Sequence, residues 1–143
     1  MADIFQDFPI KATPARVFEA VSTPSGLDGW WTKRSSGKAA EGEEYQLWFG
    51  PRYDWRARVA RSVPGALFEL EIVRADDDWQ GTRVRFHLEP REDATWVQFA
   101  HTGWPSANEH YRTSAHCWAL YIRILRRRLE LGEAVPYEAR LGA

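Results

Sequence analysis

Thr13-Pro-Ala-Arg-Val-Phe-Glu-Ala-Val-Ser-Thr-Pro-Ser-Gly-Leu-Asp-Gly-Trp-Trp31 is the stretch that decides the fold. Thr13 is a good helix N-cap, and Pro14 takes the first helical position, where its missing N–H costs nothing. Val17, Phe18 and Val21 then line one apolar face over two turns. Pro24 and Gly26 stop that helix, Leu27 starts a short second one, and the chain leaves through Trp30 and Trp31. A strand over roughly Ile4 to Lys11 precedes it. The chain is therefore expected to open strand, helix, helix.

Downstream, a short strand follows Trp31, and Gly37 to Gly42 reads as loop. Four further strands are set off by turn residues. Glu44–Phe49 is closed by Gly50-Pro51, and Asp54–Val63 by Pro64-Gly65. Leu67–Val73 is closed by Asp76-Asp77-Asp78, and Thr82–Glu89 by Pro90-Arg91-Glu92-Asp93. A last strand, Thr95–His101, ends at Gly103-Trp104-Pro105. The connections are too short for crossovers, so the hairpins are antiparallel.

Alternation along these strands defines one apolar face. A four-residue turn at Pro90–Asp93 would pair Leu88 with Thr95, Phe86 with Val97 and Val84 with Phe99, placing Thr82 opposite His101. Trp55, Ala57 and Val59 share that face with Phe68, Leu70 and Ile72, while Arg58 and Glu71 meet outside. An apolar sheet face needs a cover. The long candidate is a helix from about Asn108 to Leu131, with Gly132 just past its end and Pro136 beyond. Trp118, Ile122, Leu125 and Leu129 recur on it at helical spacing. Its middle is apolar nearly all round, so the tail (Val135, Tyr137, Leu141) or a second subunit should cover its other side.

Composition narrows the class. With 143 residues, 44% hydrophobic and 27% charged, the chain reads as one soluble domain, 1–143, able to bury a core unaided. Asp3 and Asp7 interrupt any apolar leader, and no run approaches the roughly 18 apolar residues of a membrane span. A single Cys117 excludes an internal disulfide and fits a reducing, cytoplasmic compartment. Net charge is −1, with 19 basic and 20 acidic residues interleaved, which leaves no footprint for nucleic acid. Aromatic residues reach 14%, with eight Trp against one Met. Large rigid rings either fill a core or line a ligand cavity.

The ordered set Pro14…Val17-Phe18, Leu27…Trp30-Trp31, Gly42, Pro64, Gly81-Thr82 and Thr95-x-Val97-x-Phe99-x-His101-x-Gly103-Trp104 resembles the helix-grip superfamily (START-like, SRPBCC). Together with Trp118…Tyr121…Leu125…Leu129-Glu130-x-Gly132, it is similar to the branch named after the C-terminal domain of an activator of the heat-shock protein Hsp90's ATPase. The resemblance spans nearly the whole chain. It implies an α+β fold, a curved antiparallel sheet wrapped around a long C-terminal helix with a hydrophobic cavity between them. It does not imply co-chaperone activity, since the branch holds many stand-alone single domains and fold is a weak warrant for function.

The expected ligand wall comprises Trp30, Trp48, Trp55, Phe68, Leu70, Phe86, Phe99, His101, Trp104, Trp118 and Tyr121. His101 points inward beside Thr82, where it either orients a ligand or satisfies a backbone group. His116 and Cys117, adjacent on a helix, point about 100° apart and make a poor nucleophile pair. Trp96 on the polar face beside His87, and Trp79 in the acidic loop, are read as exposed. The four His lack metal-ligand spacing, so no metal, cofactor or catalytic residue is assigned. The leading expectation is a carrier or sensor for a small hydrophobic or aromatic molecule, self-associating as a homodimer. The rivals are an enzyme of this fold, such as a polyketide cyclase or aromatase acting through His101 or Tyr121, and a chaperone-interacting module.

Overall fold

The computed structural model describes residues 1–142. Strand β1 (Ala2–Ile10) leads into helices α1 (Pro14–Ser22) and α2 (Pro24–Leu27). Strands β2 (Arg34–Ser36), β3 (Glu44–Trp48), β4 (Asp54–Val63), β5 (Leu67–Arg74), β6 (Arg83–Arg91) and β7 (Ala94–Trp104) follow, then helix α3 (Glu109–Leu131) and a 3-10 helix, Tyr137–Gly142. The sheet is antiparallel in the order β1-β7-β6-β5-β4-β3-β2, and α3 covers its apolar face. This is the curved sheet and long C-terminal helix of the helix-grip α+β fold.

The opening segment is set by its caps. Thr13 Oγ1 accepts the Arg16 N–H at 3.2 Å. Thr23 ends α1 and starts α2 at once: its N–H reaches Glu19 O, its hydroxyl donates to the same carbonyl, and Oγ1 accepts the Gly26 N–H. Gly26 is required because a Cβ there would lie 2.3 Å from Glu19 O and 2.7 Å from Ala20 Cα. Past α2, the Leu27 carbonyl collects the N–H groups of Trp30, Trp31 and Thr32, a tight turn that delivers both indoles inward. The Trp30 indole N–H then donates to Ala20 O at 2.9 Å.

Alternation correctly separates the faces, but the register of the last hairpin differs by two residues. Phe86 pairs with Phe99, Leu88 with Val97, Pro90 with Thr95, and Arg91 with Ala94. The loop is only Glu92-Asp93, and Asp93 adopts the left-handed region at φ 59° that aspartate tolerates. Slipping by two preserves which face each residue occupies. The neighbouring hairpin pairs Ala57 with Ile72, Val59 with Leu70 and Arg58 with Glu71, and a bulge falls between Val59 and Arg61.

Asn108 caps α3 by accepting the Tyr111 N–H at 2.9 Å, and Gly132 closes it in the left-handed conformation. The buried stripe Ser114, Trp118, Ile122 and Leu125 faces the sheet. The tail covers another side of α3, through Tyr137 and the buried Arg140 side chain rather than Leu141, which is 51% exposed. Arg140 donates to the carbonyls of Asp28, Thr32 and Val135.

Candidate functional site

Five aromatic rings from five separate segments close into a circuit. Trp31 comes from the turn after α2, Phe49 from the end of β3, Trp55 from β4, Trp79 from the β5–β6 loop and Trp118 from α3. Taken in order round the circuit, the centroids are 5.6 Å (Trp31–Phe49), 5.1 Å (Phe49–Trp55), 4.8 Å (Trp55–Trp79), 5.9 Å (Trp79–Trp118) and 5.1 Å (Trp118–Trp31) apart. All five border a pocket of about 230 Å³, completed by Tyr53, Tyr121 and Tyr137 with Asp76, His110, Thr113, Ser114 and Cys117. Pockets for drug-sized ligands run to roughly 300–1,000 Å³. This pocket is matched to something smaller.

His101 holds the back of that wall. The Trp118 indole N–H, which can only donate, lies 3.0 Å from His101 Nδ1. The imidazole proton is therefore on Nε2, which donates to Thr82 Oγ1 at 2.9 Å, and Thr82 donates in turn to the Trp79 carbonyl. Burial drives the His101 pKa down to about 3, with His110 adding to the fall, so the ring is neutral at physiological pH. Trp79 also lies against the imidazole, centroids 4.4 Å apart. Both hydrogen-bonding positions of His101 are filled by protein, and the residue orients two of the five rings.

The expected wall divides into three groups. Trp55, Trp118 and Tyr121 border the pocket. Trp30, Phe68, Leu70, Phe86, Phe99, His101 and Trp104 are fully buried in the packed core and do not. The expected space between sheet and helix is occupied: Trp30, Phe99 and Trp118 meet one another or Phe86 at 4.7–6.4 Å between centroids. Trp48 is a correction of another kind. It shares its side of β3 with Gln46, opposite the buried Tyr45 and Leu47, and the Arg34 guanidinium covers its ring at 4.2 Å. Its parity along the strand sends it outside.

Trp79 overturns the reading of an exposed loop residue. The loop is tied at its base by Gly81 N–H to Ile72 O (2.7 Å), while Trp79 N–H turns back to Asp76 O (2.8 Å). That turn buries Trp79 to 7% exposure. Three consecutive aspartates masked it; a lone tryptophan in a polar loop just before a left-handed glycine was the available signal. Trp96 is half-buried on the outer face opposite Glu89, beneath Arg91 rather than beside His87.

Two of the polar groups around the pocket are held protonated by burial. Burial pushes the Tyr121 phenol up to about 12 and raises the Cys117 thiol. His110 Nδ1 lies 3.2 Å from Asp78 Oδ2. Asp76, at the rim, has no side-chain hydrogen bond or ion pair among the described residues. Among those residues no His, Cys, Asp and Glu group is arranged to hold a metal ion, and no helix is long and apolar enough to cross a membrane. A larger depression of about 730 Å³ crosses the outer sheet face, bordered by Phe5, Arg61, Val63, Arg85 and His87; Phe5 is 64% exposed, and this is open surface.

A curved sheet gripping a terminal helix, with an aromatic pocket at one end, defines a helix-grip domain. Residues 11–130 match the family described as activator of Hsp90 ATPase homolog 1-like protein, and the chain belongs to that family. It is similar to the Aha1 dimer of Colwellia psychrerythraea, with 27% identity, a TM-score of 0.85 and coverage of 94% of this chain and 100% of that one. It is similar also to protein BH1534 of Bacillus halodurans, with 25% identity, a TM-score of 0.75 and coverage of 91% and 98%. CalU16 of Micromonospora echinospora shares the fold at 16% identity, with a TM-score of 0.75 and coverage of 97% and 80%. No curated relative matches the chain.

Proposed function

We propose that this protein is a cytoplasmic carrier or sensor for a small hydrophobic or aromatic molecule, held in the pocket between the β3–β4 hairpin, the β5–β6 loop and α3. The observation that carries this reading is a wall of five aromatic rings in mutual contact bordering one pocket of about 230 Å³. Such a wall gives large contact area at low entropic cost, and its neutral phenol, thiol and hydroxyls supply orientation. Native mass spectrometry of freshly purified protein tests it. The expected result is a co-purified species of a few hundred daltons or less, lost when Trp55 is replaced by Leu. A bare spectrum, with no small aromatic shifting the pocket's resonances, would end the reading.

Similarity to a protein solved as the Aha1 dimer supports a homodimer as the working assembly. The exposed Phe5 and Val63 on the outer sheet face supply apolar contact for it. Sedimentation at micromolar concentration checks this: a single species at the 16.6 kDa monomer mass refutes the dimer.

A further inference from the structure

We infer that the ligand class of this pocket is a compact organic cation, an alkylated ammonium group, rather than a neutral or anionic ring. The inference rests on the reading of the pocket as a ligand site and specifies its chemistry. Aromatic faces carry negative potential, and a cation within about 6 Å of several ring centroids is attracted to all of them at once. Here Trp31, Trp55, Trp79 and Trp118, the residue type that attracts cations most strongly, border one small space. Alkyl groups on the nitrogen meet the rings as apolar surface, so shape and charge are satisfied by the same wall.

Charge at the site has the matching sign. No lysine or arginine is among the residues bordering the pocket, and the one acid there, Asp76, is free of any ion pair among the described residues. Lys33 and Arg140 lie 5.7 and 5.4 Å from the Tyr137 ring and do not border the space. Each is already engaged, Lys33 with Glu138 and Arg140 with three carbonyls. An anionic ligand would meet Asp76 and the electron-rich rings, and the one basic side chain on the lining, His110, is already held 3.2 Å from Asp78 Oδ2. A phenolic wall that keeps its protons, as burial ensures for Tyr121, remains an electron-rich face.

Choline and 3,3-dimethyl-1-butanol differ in the substitution of a quaternary nitrogen by carbon and therefore isolate the charge. Both are titrated into the full-length protein at matched salt and followed by amide chemical shifts, with phenol as a neutral aromatic arm. Choline is expected to bind about tenfold tighter than the alcohol, the factor that a desolvated cation over several rings supplies. Asp76→Asn, a surface change, should weaken choline about threefold and leave the alcohol unchanged. Trp55→Leu should weaken both, and Trp55→Phe should restore part of the choline affinity; melts verify that each variant folds. Equal or tighter binding of the alcohol overturns the cation assignment. Phenol binding without choline binding also overturns it while leaving the apolar pocket in place. No binding by any of the three overturns both.

Discussion

The centre of the sheet–helix interface and its outer end share Trp118 of α3, yet one is packed solid and the other keeps a pocket. At the centre, Phe86, Phe99, Trp30 and Trp118 leave no room. At the end, all the rings but Trp118 come from loops and strand termini, and together they border a pocket of about 230 Å³. Strands and helices at fixed spacing can be filled by choosing large side chains. Loops approach from different directions, and rigid rings meeting at mixed tilts leave a gap beside them. Trp118 belongs to both regions, and His101 ties it to the one while orienting it for the other.

The largest effect that would sharpen this contrast is Trp118→Ala, expected to destabilise by roughly 3–5 kcal/mol because a buried indole leaves a cavity. Denaturant melts measure it, and a loss under about 1 kcal/mol would mean that the centre is not packed as described. His101→Gln should cost about 1–3 kcal/mol, since glutamine cannot serve Trp118 and Thr82 at the same separation.

The same histidine sets an acid limit. Its folded pKa of about 3 lies below the ordinary value of 6.5, so between those values the unfolded chain binds the extra proton. His101 therefore contributes stability that is complete above about pH 6.5 and falls as pH drops, by up to about 1.4 kcal/mol per pH unit. Melts at a series of pH values should show this slope in wild type and its reduction in His101→Gln. Equal slopes would place the acid sensitivity elsewhere.

Trp55→Leu sits on the hollow side of the comparison. It should cost only about 1–2 kcal/mol in stability, because Trp55 is half-buried, while lowering pocket-probe affinity about tenfold. A variant that melts early but binds normally would reverse the roles of the two regions. Trp48→Ala should have the smallest effect, under about 1 kcal/mol, with probe binding unchanged, since what it loses is the exposed contact of Arg34 and Lys33 with its ring. Any loss of binding would mean that the outer face of β3 communicates with the pocket.

Local chemistry made much of the architecture legible. Thr13 and Pro14 start α1, Asn108 and Gly132 bound α3, and the strand limits at Asp54 and Val63 follow from the Gly-Pro and Pro-Gly turns beside them. Alternation sorted inner from outer side chains even where the last hairpin slipped by two, because the period of a strand is two. For the same reason it excludes Trp48, since the buried Tyr45 and Leu47 lie three and one residues before it, on the opposite parity.

The sequence by itself thus determined the elements, the apolar face and the helix that covers it, since each depends on residues a few positions apart. Only the tertiary structure decided where space remains. A cavity is the difference between the volume that distant elements enclose and the volume their side chains fill, and no local pattern reports that difference. The inward turn of Trp79 is a case of the same kind: its loop reads as solvated, but its ring finds Trp55, His101 and Trp118 from three other segments. His101 was visible as an inward polar residue. Its filled partners were not, because Thr82 and Trp118 reach it from a different strand and from the helix.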